Sequence, residues 1–455
     1  MALTRLDIYG YRGFRETQHL NFAVPCGIEG GGLTVLTGPN NSGKSSILEC
    51  LRARSGNQNI SFTTGTRNAF TEEVEIKFTI NESEEVIKSR AKGSSETIKI
   101  GVNKSFEIFV VPSRRAFNPY FNRNQWTREQ FIDFSVIPSQ RSAVMTNFEA
   151  RLFNILENPT QFNILLKEVL GFEPSWTIDQ SDQGQYFLKF FNGTSSHSSD
   201  GMGEGITSLF AIVDALYDSK PGNVVVIDEP ELSLHPGLQK RLAKLLRRFA
   251  SDRQIVISTH SPYFIDLQAL AVGGTLARVI STKNGTRIFE LSLESKNAIK
   301  KLSNGNLYNP HVFGLDAREL FFQEDRIILT EGQEDVLLFP RIGEQLDIAI
   351  PGNFFGWGVG GAGNVAYLCR ILADLGFQKV AALLDGDKVD DCDRLAVDYP
   401  KYFFGCIPAK DIRTKPPREA SDAVDGLLDK KLEIKPEFYD SMSDLLKSVS
   451  THMNS

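Results

Sequence analysis

The chain has 455 residues, too many for one ordinary hydrophobic core, and a typical domain size of about 150 residues predicts two or three domains. Its 41% hydrophobic and 23% charged residues are typical of a globular protein, and its net charge of −6 excludes a global attraction to nucleic acid or membrane surfaces. The five cysteines include no Cys-x-x-Cys pair, which argues for reduced thiols in a cytoplasm and against a structural zinc site.

Neither a secretory signal nor a membrane span is expected. The opening MALTRLDIYGYRGF carries charges where a signal peptide needs an apolar core. No apolar run approaches the ~18 residues of a membrane span. We therefore expect a cytoplasmic protein that has no membrane partner.

The residue pattern of the N-terminal third predicts a mixed β-sheet. LTRLDIYGYRGFRETQHLNF alternates apolar and polar residues, as half-buried strands do, and GGGLTVLTG is a glycine turn that leads into a buried strand. KSSILECLRAR continues as a helix. EEVEIKFTI, ETIKIGV and FEIFVVP are further candidate strands.

The middle of the chain predicts helices and then a parallel sheet. REQFIDFSV, FEARLFNILENP and QFNILLKEVLGF show helical periodicity, and we interpret residues 117–185 as a helical insertion in the α/β domain. After the glycine-rich loop NGTSSHSSDGMGEG, helices ITSLFAIVDALYD and LQKRLAKLLRRFA alternate with buried strands NVVVIDEP and RQIVISTH. Alternating strands and helices indicate a largely parallel sheet.

A second α/β pattern begins after a polar segment. SLESKNAIKKLSNGNLYNPHVFG is interpreted as a linker, which gives predicted domains at 1–295 and 321–455 joined by residues 296–320. In the second domain, DRIILTEG, DIAIPG and KVAALLDGD are predicted strands. DVLLFPRIGEQL, which contains one proline, and NVAYLCRILADLG are predicted helices.

The most specific motif is GPNNSGKS, which fits G-x-x-x-x-G-K-[ST] between a predicted strand and a predicted helix. Its glycines let backbone N–H groups form a nest for phosphate oxygens, and the helix adds its positive end. Lys44 is expected to neutralise the β- and γ-phosphates of ATP, and Ser45 to bind Mg²⁺. An ordinary strand–turn–helix connection is the alternative. The expected nucleotide contacts are Gly38, Asn40, Asn41, Ser42, Gly43, Lys44, Ser45 and Ser46.

Two later strand ends carry candidate groups for ATP hydrolysis. Asp228 ends NVVVID, where it is expected to reach the magnesium, and Glu229 follows, where a carboxylate can orient or deprotonate water. His260 follows another strand and is a candidate γ-phosphate contact. Alone, these would be a capped acidic turn and a satisfied histidine, and the phosphate loop favours the functional interpretation. Arg114 and Arg115, in VVPSRRAF, are candidates to face DNA or a nucleotide, and a solvated basic turn is the better explanation.

The order GPNNSGKS, SSDGMGEG, VVVIDEPELSLHP, IVISTHSP resembles the ABC-type ATPases of the RecF and SMC class, as does the opening LDIYGYRGFRE. In that class a serine–glycine signature binds the γ-phosphate of ATP held by a second protomer. The resemblance assigns this role to Ser199 and Gly201, in S-D-G rather than the transporter-type LSGGQ. It implies a homodimer or higher homo-oligomer that encloses two ATP molecules. From the residues alone, this segment is nearly as well explained as a flexible loop.

Acidic residues follow two strands of the second domain. Glu331 ends one strand and Asp335 lies four residues later, whereas Asp385 and Asp387 are two apart, so an extended chain points both to one side. Carboxylates gathered at strand ends repel one another unless a cation lies among them, and such oxygen ligands suit Mg²⁺ or Mn²⁺. For either piece alone, helix capping and loop solvation is the better explanation.

Glu-Gly-x-x-Asp after one strand and Asp-x-Asp after a later strand together resemble the Toprim domain of topoisomerases, primases and some nucleases. By position, the resemblance makes Glu331 a metal ligand or general base. It makes Asp385 and Asp387 metal ligands and Asp335 a supporting acid. Lys410 is a candidate contact for the scissile phosphate, and a solvated loop lysine is at least as good an explanation.

An ABC-type ATPase followed by a Toprim domain resembles the OLD (overcoming lysogenization defect) nucleases, which include the nuclease of the Gabija phage-defence system. The resemblance implies that the helical insertion mediates dimerisation, that DNA is the substrate, and that the cofactors are ATP and Mg²⁺ or Mn²⁺. It also implies a defence-operon partner such as a helicase, or a retron with its RNA, DNA and reverse transcriptase. The alternative is an ATP-driven DNA-binding sensor or scaffold whose Toprim domain is inactive and recruits another effector.

Overall fold

The computed structural model describes residues 1–55, 60–103, 105–115, 118, 120–134, 148–198, 203–303, 314–322, 325–415 and 423–455. These residues form two compact units, Met1–Ile288 and Phe289–Ser455. Both units combine helices with parallel strands, so the predicted α/β class is confirmed. In the part of the chain that is described, no helix combines the length and the apolar character that crossing a membrane requires.

Buried strands build the central sheet of the first unit. In spatial order these strands are β14 (Gly285–Glu290), β13 (Thr275–Thr282), β3 (Leu33–Thr37), β12 (Gln254–Ser258), β11 (Val224–Asp228) and β7 (Ile108–Val111). The pairs from β13 to β7 are all parallel. Strands β3, β11 and β12 are buried at every residue, which explains their continuous apolar runs. Their carboxyl ends therefore meet at one edge of the sheet.

An antiparallel sheet forms the N-terminal part of the same unit. Its strands, in spatial order, are β2 (Gln18–Asn21), β1 (Leu3–Tyr9), β4 (Glu75–Ile80), β5 (Ser83–Ser89) and β6 (Thr97–Ile100). Burial alternates along β4 and β5, so one face of the sheet packs against a hydrophobic core and the other carries polar residues. The alternation in the sequence therefore predicts the buried face.

Helices accompany these sheets. Those of the first unit are α1 (Lys44–Arg54), α2 (Arg128–Phe134), α3 (Glu149–Glu157), α4 (Thr160–Leu170), α5 (Glu204–Tyr217), α6 (Pro236–Phe249) and α7 (Leu267–Val272). Helix α1 starts at the end of the phosphate loop, and α4 packs against α5 and α6.

The predicted helical insertion, residues 117–185, is not helical throughout. Helices α2, α3 and α4 lie within it, but its last part is strand β8 (Trp176–Gln180), which pairs with β9 (Tyr186–Asn192) and through it with β10 (Ser195–Ser198). Trp176, at the start of β8, packs edge-on against Phe162 of α4 and Phe210 of α5, with ring centroids 5.9 and 5.2 Å apart.

A buried ionic network ties the inserted helices to α5. Asp214, in the middle of α5, is fully buried and accepts hydrogen bonds from Arg128 of α2 at 2.8 Å and Arg151 of α3 at 2.9 Å. Arg151 also donates to Asp218 at 2.9 Å. Because loss of one partner would leave a buried charge uncompensated, the network fixes where α2 and α3 pack on α5.

The second unit is built on a parallel sheet. Its strands, in spatial order, are β16 (Asn353–Phe354), β15 (Ile327–Thr330), β17 (Val380–Leu384) and β18 (Phe403–Cys406). Its helices are α8 (Leu293–Ser303), α9 (Leu315–Glu319), α10 (Gln333–Leu346), α11 (Val365–Asp374), α12 (Val389–Asp398) and α13 (Tyr439–Asn454). Helices α10 and α13 contact each other, and buried residues of both belong to the core of this unit.

Two predictions for this half of the chain are wrong. The first is the linker 296–320, part of which lies in helices α8 and α9, because Ala298, Ile299 and Leu302 form a buried face of α8. Residues 304–313 of that linker lie outside the described residues.

The second is the strand DIAIPG. Asp347 has a left-handed φ of 53° and ends α10, and the Ile348 N–H donates to the Gly343 carbonyl at 2.9 Å. These residues therefore terminate the helix, and the strand β16 starts after them.

Candidate nucleotide site and acidic cluster

The phosphate loop joins β3 to α1 and has a backbone that few residue types adopt. Gly38 and Gly43 have φ angles of 134° and 111°, where glycine is favoured. A Cβ at Gly38 would lie 2.0 Å from the carbonyl oxygen of Val279, so no larger residue fits. Asn41 has a left-handed φ of 60°, which asparagine tolerates better than most residues. The loop is therefore fixed as a tight turn before the helix.

Lys44, the first residue of α1, folds back over this turn. Its Nζ donates to the carbonyl oxygens of Gly38 at 2.8 Å and Pro39 at 2.9 Å, and the residue is 5% exposed. The ammonium charge is thus held beside the N-terminal N–H groups of the helix. A cation and a helix N-terminus at one place favour a phosphate group.

Buried hydroxyl groups around the loop fit a polar ligand. The side-chain oxygens of Thr37, Ser42 and Ser258 are buried and have no hydrogen-bond partner among the described residues. Thr37 ends β3 and Ser258 ends β12, its neighbour in the sheet. A buried hydroxyl without a partner costs about 1–3 kcal/mol, so such groups mark a place where a ligand supplies the missing bonds. These hydroxyl groups suit a triphosphate with Mg²⁺.

The candidate catalytic acid lies at the carboxyl end of β11. Asp228 is the last residue of the strand and is mostly buried, and Glu229 follows it with a left-handed φ of 47°. The Glu229 N–H donates to the carbonyl oxygen of Ser258 at 2.7 Å. This bond fixes the start of the turn at the same sheet edge as the phosphate loop.

His260 lies close to the groups predicted to act with it. Its Nε2 is 3.9 Å from Oε1 of Glu229. Burial and the positive charge of Lys44 lower the pKa of His260, and the negative charge of Glu229 opposes that shift. The structure therefore brings the phosphate-loop lysine, the acid after Asp228 and the histidine to one place. A neutral imidazole there can hydrogen-bond a phosphate oxygen or a water.

Glu231 completes this arrangement and was not singled out from the sequence. Its carboxylate accepts a hydrogen bond from the Thr259 hydroxyl at 2.8 Å and from the His260 N–H at 2.5 Å. Burial raises the pKa of Glu231. The signal was the third acid in the D-E-P-E segment, whose partners lie 28 and 29 residues further along the chain.

The interpretation of Arg115 as a solvated residue is wrong. It is 2% exposed, and its guanidinium donates to the carbonyl oxygens of Asp228 at 2.7 Å and Glu229 at 3.0 Å. Burial lowers the pKa of Arg115 to about 10, and the nearby acids Asp228, Glu231 and Glu229 oppose the shift. A guanidinium remains charged at neutral pH with such a pKa. The predicted signature residues Ser199 and Gly201 lie outside the described residues.

The acidic cluster of the second unit forms at the carboxyl ends of β15 and β17, which are parallel neighbours. Glu331 directly follows β15 and Asp385 directly follows β17, and the Asp385 N–H donates to Oε1 of Glu331 at 2.9 Å. Asp335, in the first turn of α10, accepts from the Gly332 N–H at 2.8 Å and caps the helix. The structure therefore brings together acids 54 residues apart in the sequence.

Crowding of these carboxylates changes their acidity. The pKa of Asp385 is raised to about 8 by burial first and then by the charges of Glu331, Asp335, Asp411 and Asp387. The pKa of Asp335 is raised to about 6, again mainly by burial, and Lys415 opposes the shift. Burial is the main cause of both shifts, and the charges of the neighbouring carboxylates raise both pKa values further.

Asp411 belongs to this cluster and was not predicted. Gly386, between Asp385 and Asp387, donates its N–H to the carbonyl oxygen of Ala409 at 2.8 Å, and a Cβ on Gly386 would lie 2.4 Å from that oxygen. This close approach draws the segment before Asp411 against the Asp385 turn. The sequence separates them by a helix and a strand, so no local pattern could have joined them.

The candidate metal ligands of the acidic cluster are all carboxylates, and their negative charge and oxygen atoms suit a divalent cation. The positions of the side chains do not form a complete cage: among the described residues, no group of three or more His, Cys, Asp or Glu residues is arranged to hold a metal ion. Asp387 is paired with Lys388 at 3.1 Å, and Lys410 is exposed. The roles of both residues stay predictions.

Comparison with known proteins finds a family match over the part of the chain that contains the first site. The family described as "AAA domain, putative AbiEii toxin, Type IV TA system" (AAA_21) matches residues 33–266, which include the phosphate loop, Glu229 and His260. The Septu protein PtuA of Bacillus thuringiensis is 23% identical over 314 residues, which is 61% of this chain and 76% of that protein.

Two further similarities are more limited. The OLD nuclease of Thermus scotoductus is 28% identical over 158 residues, which is 33% of this chain and 28% of that protein. The SMC head solved with the C-winged helix domain of ScpA is 17% identical, with a TM-score of 0.46 over 66% of this chain and 100% of that chain.

Proposed function

The chain belongs to the AAA_21 family of ATPase-type domains, and we propose that it is an ATP-regulated, divalent-metal-dependent DNA endonuclease of bacterial antiphage defence. The observation that carries the nuclease half is the meeting of Glu331 and Asp385 at two neighbouring strand ends. The OLD nuclease among its relatives supports the same assignment.

In the ATPase half, Lys44 neutralises the β- and γ-phosphates, and backbone N–H groups from Gly38 to Ser45 bind their oxygens. Ser45 and Asp228 would hold the Mg²⁺ that accompanies ATP. Glu229 orients or deprotonates the attacking water, and His260 contacts the γ-phosphate. The lowered pKa of His260 supports this role, because a neutral imidazole adds no further charge beside Lys44.

In the nuclease half, Glu331, Asp385 and Asp387 would hold Mg²⁺ or Mn²⁺, with Asp335 in support. A divalent cation bound there supplies charge stabilisation for an attacked phosphodiester. The crowded carboxylates of the cluster favour a cation because their mutual repulsion is relieved when it binds. Lys410, which is exposed, would contact the scissile phosphate.

The same proposal includes a homodimer or higher homo-oligomer that binds DNA. Ser199 and Gly201 of one chain would contact ATP held by the other, and the helices of the insertion would contribute to the contact between chains. A further partner from a defence operon, such as a helicase or a retron with its reverse transcriptase, follows from the OLD-family resemblance.

The test uses the purified full-length chain, supercoiled plasmid DNA, and Mg²⁺ or Mn²⁺. Asp385→Ala is expected to reduce nicking by at least about 100-fold, because it removes a ligand of the cation. Lys44→Ala is expected to abolish ATP hydrolysis while metal-dependent nicking persists at an altered rate. Asp398→Ala, which changes an exposed acid at the end of α12, serves as the matched control. Equal nicking by wild type and Asp385→Ala would contradict the proposal.

A second candidate function is an ATP-driven DNA-binding sensor or scaffold that recruits another effector. The observation that favours it is that the described residues form no complete metal cage. It predicts that ATP promotes assembly on DNA, measured by sedimentation, while plasmid remains intact in Mg²⁺ and in Mn²⁺.

A further inference from the structure

A buried arginine connects the candidate catalytic acid to helix α5. Arg115 lies just after β7 and is enclosed by protein, with 2% of its surface exposed. Its Nε donates to Oγ of Ser208 at 2.6 Å, and its Nη1 donates to the Pro112 carbonyl at 2.9 Å. The same Nη1 donates to the Asp228 carbonyl at 2.7 Å, and Nη2 donates to the Glu229 carbonyl at 3.0 Å. One guanidinium therefore joins three segments of the chain.

The bond to Glu229 has a specific conformational consequence. Glu229 is not glycine, yet its φ is 47°, in the left-handed region that costs most residues about 1 kcal/mol or more. Such a backbone persists only where its surroundings hold it. On one side the Glu229 N–H donates to Ser258, and on the other side the Glu229 carbonyl accepts from Arg115. The direction of the Glu229 side chain depends on both bonds.

The bond to Ser208 reaches the element that precedes β11. Ser208 lies in the second turn of α5 and is buried, with 7% of its surface exposed. Its Oγ accepts from the same guanidinium that holds the two carbonyls. A rotation or shift of α5 would therefore change the hydrogen bonds that hold Asp228 and Glu229. The rigid planar fork of arginine suits this task better than a lysine, which presents a single nitrogen.

We propose that Arg115 is a positioning residue for ATP hydrolysis, which fixes the backbone of Glu229 and couples it to α5 through Ser208. The inference rests on the proposed ATPase role of Glu229 and adds how that acid is held. Arg115 acts through Glu229 and does not contact the reacting atoms. Replacing Arg115 therefore lowers the turnover of ATP and leaves the affinity for ATP nearly unchanged.

The experiment measures phosphate release from ATP at increasing ATP concentration for the full-length chain. Arg115→Lys is expected to lower kcat by about 10- to 100-fold with KM within about twofold of wild type, because misplacing a catalytic group costs this much. Ser208→Ala is expected to lower kcat by about two- to fivefold, because it removes the α5 contact alone. Thermal melting of each variant verifies that it folds.

The matched control is Arg253→Lys. Arg253 is also buried and donates to the carbonyl of Ser219 at 2.7 Å, just after α5, but it lies before β12, at the opposite sheet edge from the phosphate loop. A purely structural role of Arg115 predicts equal losses of kcat in the two arginine variants. A positioning role predicts a loss in Arg115→Lys and kcat within about twofold of wild type in Arg253→Lys.

A double-mutant cycle tests whether Arg115 acts through Glu229. In single-turnover hydrolysis, Arg115→Lys is expected to cause no further loss, within about twofold, once Glu229→Gln is present. Undiminished kcat in both Arg115→Lys and Ser208→Ala, or full additivity with Glu229→Gln, overturns the inference while the ATPase function stands. Absence of ATP turnover in the wild type overturns both.

Discussion

The two candidate sites lie at the same kind of place, the carboxyl ends of parallel strands, but their charges are arranged differently. At the nucleotide site, acids alternate with cations: Lys44 lies by the phosphate loop and Arg115 beneath Asp228 and Glu229. In the second unit, burial and the charges of four neighbouring carboxylates raise the pKa of Asp385 to about 8, although Asp387 pairs with Lys388 and Asp411 with Lys415. The second arrangement is stabilised further by a proton or a cation.

This difference shows which groups are held in place by hydrogen bonds within the protein, without a bound ligand. The carboxylate of Glu231 is held by the Thr259 hydroxyl and the His260 N–H, and the Glu229 backbone by Arg115 and Ser258. Hydrogen bonds of this kind fix geometry before any ligand binds. Carboxylates repel one another, and in the acidic cluster backbone N–H groups hold Glu331 and Asp335.

The largest effect is expected from Lys44→Ala, which removes the cation from the phosphate loop. We expect ATP turnover to fall by at least about 100-fold, because the charge that opposes the β- and γ-phosphates is lost. Phosphate release and the binding of a fluorescent ATP analogue measure the result. Lys244→Ala, at an exposed lysine of α6, is the control. Wild-type turnover in Lys44→Ala would show that the first site is not where ATP is hydrolysed.

A smaller effect is expected from Glu231→Ala, which tests whether hydrogen bonds hold the His260 segment. The change leaves the Thr259 hydroxyl and the His260 N–H without their acceptor, and we expect kcat for ATP to fall about tenfold. Glu231→Gln keeps one carbonyl oxygen as an acceptor and is expected to recover part of the loss. If alanine and glutamine variants both turn over ATP as wild type does, then Glu231 has no part in positioning His260.

The smallest effect is expected on stability, and it distinguishes the second site from the first. Because the folded-state pKa values of Asp385 and Asp335 lie above the ordinary value of 3.8, the native state binds more protons than the unfolded state in that interval. The free energy of unfolding therefore falls as pH rises from about 4 to about 8, and this contribution is lost above the folded pKa. In EDTA, Tm is expected to fall over this range more steeply in wild type than in Asp385→Asn.

Added Mg²⁺ makes the pH dependence of Tm a more specific test of the acidic cluster. A cation that binds ionised carboxylates stabilises the native state, so added Mg²⁺ is expected to raise Tm by about 2–4 °C at pH 8.5 and by less at pH 5. Asp385→Asn should lose most of this increment, and Asp398→Asn should keep it. An identical pH profile and an identical Mg²⁺ response in wild type and Asp385→Asn would remove the physical distinction between the two sites.

Elements whose signals are local could be predicted from the order of the residues. The apolar run from Leu33 to Thr37, the glycines at Gly38 and Gly43, and the helix after them are contiguous, so their spacing alone predicts a strand, a loop and a helix. The positions of Asp228 and Asp385 followed in the same way, because a buried strand ending in an acid is visible as a pattern.

Contacts between side chains that are distant in the sequence could not be predicted and depend on how the chain folds. Arg115 reaches Ser208 across 93 residues and the Asp228 carbonyl across 113, and nothing in VVPSRRAF distinguishes a buried arginine from a solvated one. Asp411 joins the acidic cluster because the backbone of Gly386 contacts Ala409. The physical reason is the same in each case: periodicity reports how one segment faces its own surroundings, whereas a hydrogen bond between distant segments exists only after the core has packed.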